Sequence, residues 1–100
     1  IDALSFKLHW VSLMLQTMGT ESVTQRLATM LLQLSETYGE PAEEGVVIRY
    51  PFSKADLASM VGASRPWVST TFGRLQKQGI VAMRRRHIVI IRLAKLKEML

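Results

Sequence analysis

A mainly α fold with a small β component is predicted for this 100-residue chain by three observations. Five stretches repeat apolar residues at helical spacing. Glycines, prolines and capping serines or threonines punctuate the joints between them. Only three short runs, at 46–49, 80–83 and 87–91, have the composition of strands, and the last two flank a basic tip.

Residues 1–18 read as a helix. Leu4, Leu8, Val11, Leu15 and Met18 step by four, three, four and three residues, the rhythm of a coiled-coil seam. Phe6, Trp10, Leu13 and Met14 widen the apolar face beyond that seam. The segment is therefore expected to be the C-terminal part of a longer dimerisation helix, with the five seam residues at a homodimer interface. The plainer alternative is an amphipathic helix packed on its own domain. Residues 19–100 are expected to form one further domain. Thr20 can cap a second helix reaching about Tyr38, with Val23, Leu27, Met30, Leu31, Leu34 and Tyr38 on one face. Gly39-Glu40-Pro41 stops it. Ala42 to Gly45 is expected to be a solvated acidic loop, and Val46 to Arg49 a strand that Pro51 ends.

The stretch from Phe52 to Gly79 reads as two helices and a tight turn. Ser53 can cap the first, with Asp56 favouring its positive end. Leu57, Met60 and Val61 give it an apolar face, and Gly62 supplies a backbone free to take positive φ. Ser64 can cap the second helix, on which Val68, Phe72 and Leu75 share a face, and Gly79 ends it. Such a pair is a helix-turn-helix, whose second helix enters the DNA major groove. Ile80 to Met83 and His87 to Ile91 then read as a hairpin around Arg84-Arg85-Arg86, with no Asn-Gly to name its turn type. A helix-turn-helix followed by a hairpin is a winged helix. Arg92 to Leu100 completes the chain as a short helix with Leu93, Leu96 and Leu100 on one side.

Charge divides the chain. Residues 1–52 carry three basic and six acidic groups, whereas 53–100 carry ten basic groups against Asp56 and Glu98 alone, within a net charge of +5. An anionic partner for the second half is implied, and with a helix-turn-helix that partner is double-stranded DNA. Cysteine is absent, which excludes disulfides, thiolate nucleophiles and zinc ribbons and fits a cytoplasmic protein. No apolar run approaches the roughly 20 residues of a membrane span, so no membrane partner is expected. The start has neither an initiator Met nor a signal peptide, which suggests a fragment or a processed chain. With His9 and His87 as the only histidines, and no metal-ligand or phosphate-loop motif, no enzyme, cofactor or metal is expected.

The run SKADLASMVGASRPWVSTTFGRLQKQGIVAMRRRHIVII resembles the DNA-binding domain of the Crp/Fnr family of bacterial transcription regulators. The order of parts is similar too: end of a dimer helix, connecting helix, short strand, helix-turn-helix, wing. The resemblance covers essentially the whole chain, and its most specific piece runs from Ser53 to Arg65, followed by Val68, Leu75 and Gly79. It implies an effector-sensing N-terminal barrel absent from these residues, a small-molecule effector of unknown identity, and possible contact with RNA polymerase. Arg65 matches an arginine that reaches base edges or phosphates in many members. The next position often holds a glutamate that reads cytosine, and here it is Pro66. A second arginine that reads guanine is replaced by Thr70. The usual half-site is therefore not expected. Ser53 and Lys54 match positions that commonly hold phosphate.

On the physical reading, a recognition helix of about 65–78 turns Arg65, Pro66, Ser69 and Thr70 toward bases, and a wing of 80–91 lies on the backbone. Backbone contacts are assigned to Ser53, Lys54, Ser64, Trp67, Arg74, Lys77, Arg84, Arg85, Arg86 and His87. Pro66 is tolerated in the first turn, although it biases Arg65 away from helical geometry and can delay the helix start. Trp67 has a competing reading as a core residue. Gly73 fits either close approach to DNA or packing against another helix. Three phosphates per subunit of a dimer give a log–log salt slope of about −5. A winged-helix regulator of another family, or a protein-interaction module without DNA binding, are the alternatives to a homodimer on a roughly palindromic operator.

Overall fold

The computed structural model describes residues 23–100, so the expected dimer helix, with Leu4, Leu8, Val11, Leu15 and Met18, and the Thr20 cap lie outside the described residues. Eight elements follow one another: α1 (Val23–Tyr38), β1 (Gly39–Ala42), β2 (Gly45–Ile48), α2 (Lys54–Val61), α3 (Arg65–Lys77), β3 (Val81–Arg84), β4 (His87–Ile90) and α4 (Leu93–Glu98). The strands make one antiparallel sheet in the order β1-β2-β4-β3. The fold is a winged helix-turn-helix.

The apolar spacing of α1 does what helical periodicity demands. Leu27, Met30, Leu31 and Leu34 are fully buried, and Tyr38 packs its ring edge-on to Phe52 at 5.5 Å. They meet Ile48, Ile88 and Ile90 from the sheet, Leu57, Met60 and Val61 from α2, and Val68, Phe72 and Leu75 from α3 in a single core. Leu96 joins it from α4, whereas Leu100, expected beside it, is 57% exposed, because α4 ends at Glu98.

The acidic loop is shorter than the sequence suggests. Gly39–Ala42 forms an edge strand paired with β2, and only Glu43 and Glu44 remain as the turn. Pro41 is acceptable there because an outer strand has no neighbour awaiting its missing N–H. Gly39 has a steric role as well as ending the helix: a Cβ at this position would collide with the Ser35 carbonyl oxygen and crowd the Val46 side chain. Arg49 closes this corner through Nε–H to Glu40 Oε2 at 2.7 Å.

Two turns of residues 53–100 that need left-handed backbone differ in residue choice. Gly62 takes φ 73°, ψ 37° between α2 and α3, a left-handed conformation that glycine adopts freely. The wing turn is Arg85-Arg86, with φ of 51° and 70°. Positive φ at both central residues makes it the two-residue turn whose twist matches a hairpin, here without the usual Asn-Gly. For an arginine that geometry costs roughly 1–2 kcal/mol per residue.

Candidate nucleic-acid interface

Capping chemistry fixes where the candidate recognition helix starts and how it is held. Ser53 and Asp56 form a reciprocal capping box at α2: Asp56 N–H donates to Ser53 Oγ at 3.0 Å, and Ser53 N–H to Asp56 Oδ2 at 2.9 Å. Ser64 Oγ accepts from Trp67 N–H at 3.2 Å and caps α3. Both serine hydroxyls keep their own proton to donate outward. Pro66 does not delay the helix: α3 begins at Arg65, with the proline in the first turn, where its missing N–H is not needed.

The two faces of α3 are sharply unlike. Val68, Thr71, Phe72 and Leu75 are each no more than 2% exposed, at i, i+3, i+4 and i+7. Thr71 is absent from the predicted inner face, although that spacing points to it. Opposite, Arg65, Pro66, Thr70, Arg74, Gln76 and Lys77 are exposed, and Ser69 and Gly73 half-exposed. Ser69, Thr70, Gly73, Arg74 and Lys77 surround an open depression of about 340 Å³. Gln76, not among the predicted contacts, stands on the same outer face, and only a helical projection would have drawn attention to it. Nothing lies within 4 Å of a Cβ built on Gly73, so packing against another helix of the described residues does not explain this glycine.

Other predicted contacts are engaged inside the fold. Trp67 is half-buried against the core, in keeping with its packing alternative. Lys54 holds its ammonium 5.9 Å from the centre of the Phe72 ring, a cation–π contact that orients the amine at the start of α2. His87 Nδ1–H donates to Arg85 O at 3.0 Å and steadies the wing turn. Arg84, also among the predicted backbone contacts, has a carboxylate partner in the fold. Its guanidinium makes a two-point ion pair with Glu44, through Nε–H to Oε1 at 3.1 Å and Nη2–H to Oε2 at 3.0 Å. Arg85 and Arg86 are exposed, and among the described residues neither has a carboxylate partner. No local pattern announces the pairing with Glu44, because the two residues lie 40 positions apart.

The described helices include none long and apolar enough to cross a membrane, and the described residues include no cluster of metal-ligating side chains. The chain is 24% identical over 90 residues to the Global nitrogen regulator of Synechococcus elongatus, which covers 90% of this chain and 40% of that protein. It is 32% identical over 85 residues to the Transcriptional regulator SdrP of Thermus thermophilus, covering 85% of this chain and 42% of that protein. Both are named as regulators, not enzymes. The chain thus spans about two fifths of the length of these relatives. A solved CRP/FNR family transcriptional regulator from Thermus thermophilus superposes with a TM-score of 0.75 at 29% identity, over 96% of this chain and 49% of that one. Residues 25–99 match the family model described as the Crp-like helix-turn-helix domain, and with caps, turn, helix pair and wing all in place the chain belongs to that family.

Proposed function

We propose that α3 enters the major groove of double-stranded DNA with the wing on the neighbouring backbone, and that two copies of the protein regulate transcription from a roughly palindromic operator. The observation that carries this reading is the division of α3. One side is locked into the core by Val68, Phe72 and Leu75, and the other offers Arg65, Arg74 and Lys77 around a surface of short residues. A helix anchored this way is held rigidly while its cationic side stays open to a polyanion.

Arg65, at the first turn, forks onto guanine O6 and N7, while Thr70 offers a methyl group to thymine and Ser69 a small hydroxyl. Pro66 has no side-chain donor and contributes shape. Ser53, Lys54, Ser64, Arg74, Lys77, Arg85, Arg86 and His87 serve phosphates, which fix register without reading sequence. Trp67 supports the helix from the core side. Half-sites about 34 Å apart place two such helices on one face of the duplex. A small-molecule effector bound by a domain outside these residues, contact with RNA polymerase and a cytoplasmic location belong to the same reading, supported by the regulator names of the longer relatives.

Selection from a random duplex library with the full-length protein tests it, repeated with Arg65→Ala. The expected result is a palindrome that relaxes at one position per half-site in the variant. Absence of salt-sensitive duplex binding, with or without candidate effectors, would overturn the reading in favour of a protein-interaction module.

A further inference from the structure

The sheet has an inner and an outer face. Ile48, Ile88 and Ile90 enter the core, whereas Val47, Val89 and Ala82 stand in one row on the other side, aligned by the pairings Val47 with Val89 and Ala82 with Val89. Val89 is nevertheless only 2% exposed. Arg84 lies two residues beyond Ala82 on β3 and so shares this outer face. With Glu44, Val47 and Val89 it lines a shallow hollow there, its apolar stem beside the row and its guanidinium on the tip of the β1–β2 hairpin. Arg84 also pairs with His87 in the last rung before the strained Arg85-Arg86 turn. Whatever holds Arg84 therefore holds the base of that turn.

Building on the DNA-binding reading above, we propose that Glu44 is a positioning residue whose two-point ion pair with Arg84 sets the wing, and that the wing's arginine contacts with phosphate come from Arg85 and Arg86 alone. The three consecutive arginines then divide into a strut and two contacts. The acidic hairpin tip braces the basic wing.

The strut and simple electrostatics forecast opposite signs for one substitution. Removing the Glu44 carboxylate makes the surface more positive, and charge alone tightens binding to a polyanion. Loss of a brace weakens binding. The test is the affinity of the full-length protein for the selected operator duplex over a range of salt concentrations. It compares wild type, Glu44→Ala, the reversed pair Glu44→Arg with Arg84→Glu, and Arg85→Gln. Glu44→Ala is expected to bind about two- to fivefold more weakly, the scale of one exposed ion pair. The reversed pair keeps net charge and bridge, and is expected to restore wild-type affinity and salt slope. Arg85→Gln lowers the slope by about 0.9 for each phosphate it no longer neutralises. Equal or tighter binding by Glu44→Ala, or a reversed pair whose slope falls as far as that of Arg85→Gln, would overturn the strut. Thermal melts establish that each variant is folded. If the DNA-binding reading itself fails, wild type shows no salt-dependent duplex binding at all, which is distinct from either outcome.

Discussion

The turn between α2 and α3 and the turn at the wing tip both need left-handed backbone, and they obtain it from opposite residue choices. Gly62 enters that region without strain. Arg85 and Arg86 enter it against their own preference. The first turn serves folding: it brings together two helices whose Leu57, Met60, Val68 and Phe72 share one core, and its residue is the one a fold alone would select. The second turn holds two guanidinium groups at the tip of the wing hairpin. Among the described residues neither has a carboxylate partner, and on the proposed function they are held there for phosphate. Backbone that opposes local stability marks a place to look for function, and the contrast can be broken from either side.

The largest effect is expected where the first turn is held by packing. Phe72, 1% exposed, belongs to α3 and to the core it shares with α2, and also carries the Lys54 ammonium over its ring. Phe72→Ala should lower stability by about 3–5 kcal/mol, read as a shift in the denaturant midpoint, and should remove the orientation of Lys54 with it. Gly62→Ala should be smaller, roughly 1–2 kcal/mol, because nothing lies within 4 Å of the added Cβ and only backbone strain is introduced. A loss as large as that of Phe72→Ala would mean that packing, not φ, is what requires glycine there.

These two sites also show what could be read from sequence and what could not. Ser53, Asp56, Gly62 and Ser64 act on neighbours within a few residues, so their roles follow from spacing alone, and the structure places all four as expected. The inner faces of α1 and α3 follow from periodicity for the same reason. Gly39–Ala42 has glycine, glutamate and proline, none of them a strand former, and becomes a strand only because β2 offers an edge to pair with. The Glu44–Arg84 pair depends on two hairpins meeting, which local chemistry cannot announce. Trp67 is legible as an oddity, but its place against the core requires the fold. The grouping of Ser69, Thr70, Gly73, Arg74 and Lys77 on one outer face is visible in the helical spacing, whereas the openness of that face depends on how the other elements pack.

The wing turn supplies the next prediction, with a change of sign. Replacing Arg85-Arg86 by Asn-Gly should stabilise the domain by about 1 kcal/mol, since those residues accept both positive φ values. On the proposed function the same variant loses affinity for DNA, and its salt slope falls by about 0.9 for each phosphate contact removed. Melting temperature and binding should therefore move in opposite directions. If both rise together, the arginines contribute nothing at the tip and the contrast with Gly62 loses its functional meaning.

Gly73 gives the finest version of the same argument. It lies inside α3, where glycine is less favourable than alanine by roughly 0.5–1 kcal/mol. A built Cβ meets nothing within 4 Å, so the described fold has no steric need for this glycine. Gly73→Ala should accordingly raise stability by that amount, measured by thermal or denaturant unfolding. The added methyl group projects into the depression ringed by Ser69, Thr70, Arg74 and Lys77. If the helix backbone approaches base edges closely there, one methyl is enough to hold it away, and affinity for the selected operator should fall while the salt slope stays unchanged, because no phosphate contact is removed. Weaker binding with an unchanged slope separates a steric effect from the charge effect at the wing. Unchanged affinity would place Gly73 off the contact surface and shift the closest approach toward Arg65 and Pro66 at the start of the helix.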